Sequence, residues 1–185
     1  MRLFVAVDMP AQVCEVVAEV QHYLKRRNLF DGSYTDAAHA HETIAFLGSV
    51  AEEDYAAIDA ALCTVQPPVC QAQLGALDYF ERGDLVKVIF LALVCPELQQ
   101  LAQRVRDVLA PWHEPDSRPF HPHVTLARVK YAADHETLRR ELVSYAVPRI
   151  EFPIDHFALK ESVLTPDGPI HTTRALYPCF ARGSE

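Results

Sequence analysis

Two short segments of the chain combine side chains that can transfer protons and bind anions. They are His41-Glu42-Thr43-Ile44-Ala45 and His123-Val124-Thr125-Leu126-Ala127, which share the sequence His-x-Thr-apolar-Ala and lie in strand-like stretches. Because side chains alternate between the faces of a strand, each histidine projects from the same face as the threonine two positions later. Each segment, called here the first or second motif, therefore offers an imidazole and a hydroxyl together.

This combination suits the opening of a cyclic phosphodiester by in-line attack. The reaction needs a base that takes a proton from the nucleophile and an acid that protonates the departing oxygen, and histidine serves in both roles near neutral pH. We predict that His41 and His123 are the catalytic residues, one acting as the base and the other as the acid. The hydroxyls of Thr43 and Thr125 are predicted to bind the phosphate by donating hydrogen bonds to its non-bridging oxygens. No metal or other cofactor is required.

Arg128 is a further candidate for binding phosphate. It lies five positions beyond His123, so strict alternation would place the two side chains on opposite faces of the strand. A β-bulge, or the end of the strand, could turn the guanidinium towards the histidine. We include Arg128 among the predicted phosphate-binding residues on that condition.

Two other interpretations of the same residues stay open. His39-Ala40-His41 and His121-Pro122-His123 are His-x-His pairs, a spacing that allows strand histidines to bind a transition metal in a metal-dependent phosphoesterase. That interpretation gives the threonines no role, and Pro122 restricts the backbone of His121. The other alternative is a non-catalytic protein that binds nucleotide phosphates, which only an activity measurement separates from an enzyme.

Composition narrows the class of protein. The 185 residues, half of them hydrophobic, suffice for one globular domain with a sizeable core, and the net charge of −8 argues against a protein that coats long nucleic acid. No apolar stretch approaches the roughly 20 residues that cross a bilayer, so no membrane association is expected. The odd count of five cysteines, without a Cys-x-x-Cys pair, and an opening segment unlike a signal peptide favour a reducing cytoplasm.

The elements around the two motifs also repeat. An apolar stretch at 3–7 leads to Pro10 and a helical pattern before the first motif, and another at 88–95 leads to Pro96 and a helical pattern before the second. Each half then continues with a further helix. The sequence predicts one domain over residues 1–185, with an α+β fold of two lobes related by a pseudo-twofold axis, antiparallel sheets flanked by helices, and a central cleft.

Local signals complete the predicted order of elements. The chain is expected to break at Asp31-Gly32-Ser33 and to form its later elements as helices at 52–65 and 136–145, strands at 72–80 and 85–94, and a closing hairpin of 150–164 with 170–180.

With these residues in view, the chain resembles the two-histidine phosphoesterase superfamily. Within it, the chain looks like the bacterial and archaeal RNA 2′,3′-cyclic phosphodiesterases, also called 2′-5′ RNA ligases or LigT-like proteins. The resemblance covers nearly the whole chain. It rests on the opening segment 2–10, the extended first motif 41–48, the extended second motif 120–128, and Ser162 with Gly168-Pro169.

The resemblance implies a bilobal α+β fold and a metal-independent hydrolase that opens a terminal 2′,3′-cyclic phosphate to a 2′-phosphate, with 2′-5′ ligation as the reverse activity. RNA ends or small cyclic nucleotides are the implied partners, and a monomer is expected. By matching position, His41 and His123 are catalytic, and Thr43 and Thr125 bind phosphate. In the family's direction of opening, we assign His123 as the base that activates water and His41 as the acid that protonates the 3′-oxygen.

Two residues depart from the family pattern. Glu42 stands where the family usually has an apolar residue, and its side chain is expected to point away from His41 and need not touch the site. His171 stands where the family commonly places an aromatic residue, often tyrosine, so the resemblance assigns no nucleobase contact here.

Overall fold

The polypeptide forms two antiparallel sheets flanked by helices in a computed structural model, which describes residues 1–112, 119–166 and 168–180. The predicted α+β fold is therefore confirmed. The strands are β1 (Arg2–Asp8), β2 (Asp31–Tyr34), β3 (His41–Ser49), β4 (Cys70–Arg82), β5 (Leu85–Val94), β6 (His123–Tyr131), β7 (Glu151–Ile154), β8 (His156–Thr165) and β9 (Gly168–Pro178). The helices are α1 (Ala11–Arg27), α2 (Tyr55–Cys63), α3 (Pro96–Leu109) and α4 (His135–Ser144).

The sheet order mixes strands from the two halves of the chain. The first sheet has the order β3-β1-β8-β9 and the second the order β2-β6-β5-β4-β7. Thus β8 and β9, which come late in the sequence, pair beside β1, whereas β2 and β4, which come early, belong to the second sheet. The repeat seen in the sequence therefore corresponds to β1 with β3 and to β5 with β6, but neither sheet is built from one half alone.

Strands β1 and β5 each pack one face against the hydrophobic core and the other face against a motif histidine. In β1, Leu3, Val5 and Val7 belong to the hydrophobic core, and the alternate Phe4 packs on His41 instead. In β5, Phe90 likewise points away from the core residues that precede and follow it. One continuous core joins both sheets and the helices.

Helix α1 follows directly from its sequence. Pro10, in an extended conformation, precedes its first residue, and Asn28 ends it in the left-handed conformation with its N–H bonded to the carbonyl of Leu24. Its buried residues recur at helical spacing, and Lys25, Arg26 and Arg27 in the last turn complement the helix dipole. No described helix combines the length and the apolar composition needed to cross a bilayer.

The structure corrects the prediction of a chain break at Asp31-Gly32-Ser33. These residues form β2, an edge strand that pairs antiparallel with β6. Gly32 makes that pairing possible, because a Cβ at this position would lie 2.2 Å from the carbonyl oxygen of Arg128. A short polar segment that contains glycine is typical of a turn, but the same composition is compatible with an edge strand, and here the segment forms one.

Two more predicted elements are divided in the structure. The strand predicted at 150–164 is interrupted at Asp155, so that β7 joins the edge of the second sheet and β8 joins the first. Pro153 fits this edge position, since it has no N–H to donate. The helix predicted at 52–65 consists of a 3-10 turn, Glu52–Asp54, followed by α2.

Candidate active site

The two motif strands present their residues in the same way. In β3 and in β6 the histidine and the threonine are half-buried, whereas the residue between them and the two residues after the threonine are buried. The two strands are also neighbours across the boundary between the sheets. The structure thus brings His41 and Thr43 on one side next to the strand that carries His123 and Thr125.

Both motif histidines are held in one tautomer. The Nδ1 atom of His41 lies 2.9 Å from the carbonyl oxygen of His39, and Nδ1 of His123 lies 2.6 Å from that of His121. Because a carbonyl oxygen can only accept, each Nδ1 must carry the proton and donate it. The Nε2 atom of each ring is then the nitrogen that can accept or deliver a proton.

These contacts give the His-x-His spacing a role other than metal chelation. His39 and His121 supply backbone carbonyls, while the ring of His39 pairs with Asp36 at 2.7 Å and the ring of His121 packs edge-on against Phe80. In the described parts of the chain, no group of three or more His, Cys, Asp or Glu residues is arranged to hold a metal ion.

Burial lowers the pKa of both motif histidines. For His41 the loss of hydration is the largest cause, the cation of Lys160 lowers the pKa further, and Asp8 opposes this effect. For His123 the loss of hydration again dominates, and His121 and Arg128 add to it. Each imidazole is therefore biased towards its neutral form in the free protein, while a bound phosphate anion would favour the protonated form of a neighbouring ring.

A phenylalanine lies under each motif histidine. The ring of Phe4 is centred 5.4 Å from that of His41, and the ring of Phe90 is centred 5.1 Å from that of His123. The two positions are equivalent in the repeat, since each phenylalanine stands six residues before the proline that leads into a helix. Sequence reasoning missed this pair, although the repeat contained the signal.

A β-bulge brings Arg128 to the face that carries Thr125. In the pairing of β5 with β6, Ile89 faces Ala127 and Phe90 faces Thr125, so Leu126 is the extra residue. The bulge shifts the alternation by one, and the charge of Arg128 acts on the ring of His123. The geometric condition set for Arg128 is met, and its binding of phosphate stays a prediction.

A buried glutamine and a half-buried threonine support this bulge. Gln21 of α1 donates from Nε2 to the carbonyl oxygen of Leu126 at 3.0 Å and to that of Thr35 at 2.8 Å. The hydroxyl of Thr35 donates to the carbonyl oxygen of Thr125 at 2.8 Å. The carbonyl oxygen of Leu126 also accepts the backbone N–H of Thr35 at 2.9 Å, so the carbonyl groups of Thr125 and Leu126 beside the bulge have donors, as buried backbone groups require. These supporting residues carried no pattern in the sequence that would have revealed them.

Lys160 and His171 extend the first sheet's side of the site. The side chain of Lys160 on β8 is 7% exposed and pairs with Asp8 at 2.5 Å. The ring of His171 on β9 is centred 5.3 Å from that of His41 and meets it edge-on. Burial, followed by the charge of His41, lowers the pKa of His171. The residue that departs from the family pattern therefore lies against the first catalytic candidate.

Glu42 points away from His41, as expected, and its side chain contacts the second motif. The carboxyl is fully buried, and Oε2 accepts a hydrogen bond from the backbone N–H of His123. Burial raises the pKa of Glu42 well above its ordinary value. Alternation along β3 correctly turned this side chain away from His41, but only the packing of the two sheets shows that it then reaches the second motif.

Comparison with known proteins identifies the family. A profile of the 2′-5′ RNA ligase superfamily matches residues 9–163. The chain belongs to the 2′-5′ RNA ligase superfamily. The RNA 2′,3′-cyclic phosphodiesterase of Thermotoga maritima is 30% identical to it over 186 residues, which cover 99% of this chain and 97% of the relative. The family inferred from the motifs is therefore confirmed.

Solved structures agree with this membership of the superfamily. The structure of TT0787 of Thermus thermophilus has a TM-score of 0.77 and 27% identity, covering 99% of this chain and 100% of its own. That of E. coli LigT complexed with NADP⁺ has a TM-score of 0.72 and 25% identity, covering 97% of each chain. The roles of the individual site residues stay predictions.

Proposed function

We propose that this superfamily member hydrolyses the 2′,3′-cyclic phosphate of RNA ends or small nucleotides to a 2′-phosphate without a metal. The observation that carries the proposal is the matched pair of imidazoles, His41 and His123, each with Nδ1 bound to a backbone carbonyl and Nε2 left for proton transfer. The name of the T. maritima relative, RNA 2′,3′-cyclic phosphodiesterase, supports the choice of substrate.

The reaction proceeds as one in-line displacement with water as the nucleophile. Neutral His123 takes a proton from the water through Nε2 as the oxygen attacks phosphorus. The bond between phosphorus and the 3′-oxygen breaks, and protonated His41 delivers its Nε2 proton to that oxygen. The products are a 2′-phosphate and a free 3′-hydroxyl, and exchange of protons with solvent restores both rings. No covalent intermediate forms.

The remaining site residues stabilise the charge on the phosphate. Thr43 and Thr125 donate hydrogen bonds to the non-bridging oxygens, which gain charge in the transition state. Arg128 supplies a cation beside His123, where the bulge turns it. The low pKa of both free imidazoles suits this scheme, because the bound phosphate anion favours protonation of one ring while the other stays neutral.

The same site accounts for ligation. A polynucleotide 5′-hydroxyl in place of water attacks the cyclic phosphate and gives a 2′-5′ linkage through the same transition state. Water is far more abundant in dilute solution, so hydrolysis dominates there.

The net charge of the chain bears on its partners, and its cysteine thiols bear on its location. The net charge of −8 favours RNA ends and small nucleotides over long RNA, and the nucleotide in the E. coli LigT structure supports a nucleotide ligand. We place the protein as a monomer in the reducing cytoplasm, which suits its five free cysteines.

The deciding experiment uses metal-stripped protein, 2′,3′-cyclic AMP and EDTA, followed by phosphorus NMR. We expect 2′-AMP at the same rate with and without the chelator, and formation at least about 10²-fold slower with the His123→Ala variant. A 3′-phosphate product, or activity that vanishes in EDTA and returns with zinc or manganese, would overturn the proposal. Binding of the nucleotide without turnover would identify a non-catalytic protein instead.

A further inference from the structure

Glu42 is a buried acidic residue at the contact between the two sheets. Its exposed fraction is 0%, and Oε2 accepts the backbone N–H of His123. The second oxygen, Oε1, is also buried and has no hydrogen-bond partner among the residues that the structure describes. The carboxyl therefore makes one specific contact, and that contact is with the backbone of a residue in the proposed reaction.

The fold itself does not require a carboxyl at this position. Val124 is the equivalent residue of the second motif, and it too is 0% exposed. Burying a carboxyl costs free energy that an apolar side chain would not. Glu42 is therefore better explained by the group it contacts than by packing.

We propose that Glu42 is a positioning residue that fixes the backbone of His123 relative to β3, and so sets the spacing of the two imidazoles. Glu42 directly follows His41 in the chain, so one side chain links the backbones of both histidines. Within the second sheet, His123 is paired with Ala92 of β5. The Glu42 contact adds the connection to the first sheet. This inference rests on the proposed function, in which both rings must meet one phosphate.

The carboxyl acts on the backbone of His123 and not on its ring. Oε2 lies 3.9 Å from Nδ1 of His123, whose proton is donated to the carbonyl of His121 at 2.6 Å. The contact needs an oxygen that accepts the N–H, and a glutamine side-chain oxygen can take the place of Oε2. The charges that act on the ring of His123 come from His121 and Arg128.

The test compares Glu42→Gln with Glu42→Met. Methionine matches glutamine in length but removes the oxygen that accepts the N–H. We expect Glu42→Met to lower kcat for 2′,3′-cyclic AMP by about tenfold or more, since small misplacements of reacting groups are costly. Its KM should stay within about twofold of wild type, because the phosphate-binding residues are unchanged.

Two variants serve as controls. Glu42→Gln should keep the wild-type kcat and pH profile. Ile44→Met, a buried change in the same strand, controls for general disturbance of β3.

A second measurement does not depend on activity. Hydrogen exchange of the His123 backbone amide, followed by NMR, should be slow in wild type and Glu42→Gln and faster in Glu42→Met. If wild type hydrolyses nothing, the proposed function fails, and the exchange experiment still tests the contact. Thermal melting should show Glu42→Met at least as stable as wild type, and Glu42→Leu replaces it if it does not fold.

Four outcomes would overturn the inference. They are wild-type kcat in Glu42→Met, equal loss of kcat in Glu42→Gln and Glu42→Met, unchanged exchange of the His123 amide, and failure of both the Met and Leu variants to fold. The last outcome would make Glu42 a requirement of the fold and not of the site.

Discussion

The first and second motifs orient their histidines through the same hydrogen bond, but different backbone structures supply the carbonyl that accepts it. The carbonyl that holds His41 belongs to His39, the last residue of a 3-10 turn, Ala37–His39, which Asp36 caps by accepting the N–H of Ala38 at 3.0 Å. The carbonyl that holds His123 belongs to His121, whose backbone is restricted by the proline that follows. Because two unlike backbones deliver the same contact to Nδ1, we infer that the contact itself is what both motifs require.

The motifs differ at the positions around this shared arrangement. Glu42 corresponds to Val124, and Phe46 corresponds to Arg128 at the residue that each bulge turns outward. Lys160 and His171 lie on the side of His41 alone. The repeated residues thus supply the proposed acid, base and hydroxyls. We propose that the unmatched residues decide which of the two histidines acts as the acid.

The largest expected effect comes from removing either histidine. His41→Ala and His123→Ala should each lower kcat about 10²- to 10⁴-fold, the range for general acid–base catalysis. The double variant should be little worse than either single variant, because the two groups act as one unit. Steady-state kinetics on 2′,3′-cyclic AMP provides the measurement, and near-normal turnover by either single variant would contradict the paired mechanism.

Removing a motif hydroxyl should have the next largest effect. Thr43→Val and Thr125→Val keep the shape but delete the donor, so each should cost about 2 to 4 kcal/mol of transition-state stabilisation in kcat/KM. Similar losses at both positions would sharpen the equivalence of the motifs. Melting temperatures near wild type serve as the control, and folded variants with unchanged kinetics would assign the threonines to strand structure only.

The sequence predicted the parts of this site that repeat. Alternation along a strand correctly placed His41 with Thr43, and helical spacing correctly predicted α1, which follows Pro10, and α3, which begins at Pro96. These are local properties, because periodicity depends only on neighbouring residues. The bulge was anticipated as a condition for Arg128, although nothing in the sequence fixed its position at Leu126.

Other features depended on contacts between distant parts of the chain. Which sheet receives β4 or β8 is decided by pairing across the whole chain, and local pattern cannot distinguish these alternatives. The contact of Glu42 with His123 is likewise invisible, because it joins strands of different sheets. The short β2 was missed since Gly32 gives the signal of a turn while also permitting close pairing with β6.

The cation at the second motif should have an intermediate effect. Arg128→Met should lower kcat/KM by an amount equivalent to about 1.5 to 3 kcal/mol of binding free energy, the range for a hydrogen bond to a charged group. Most of this loss should appear as a higher KM. The matched change Phe46→Met, at the equivalent position of the first motif, carries no charge change and should have little effect. Titration with nucleotide at two salt concentrations checks the charge, and equal effects of both variants would remove the proposed difference between the motifs.

The smallest expected effect is a shift of one limb of the pH profile, and it tests the direction of the site. The cation of Lys160 lowers the pKa of His41, and Asp8 raises it. Lys160→Met removes the cation and leaves Asp8 without its partner, so the pKa of His41 should rise. An acid must be protonated to act, so activity is lost as pH rises through its pKa. If His41 is the acid, the alkaline limb of kcat/KM should therefore move to higher pH.

The matched variant Lys160→Arg keeps the charge and should leave both limbs in place. A base must be neutral, so its pKa sets the acidic limb, and an upward shift of that limb in Lys160→Met would make His41 the base and His123 the acid. That result would reverse the proposed direction while keeping the two-histidine reaction. If both limbs stay fixed in a folded Lys160→Met protein, Lys160 does not act on His41, and the origin of the asymmetry must be sought in Arg128 or His171, which lie beside the two rings.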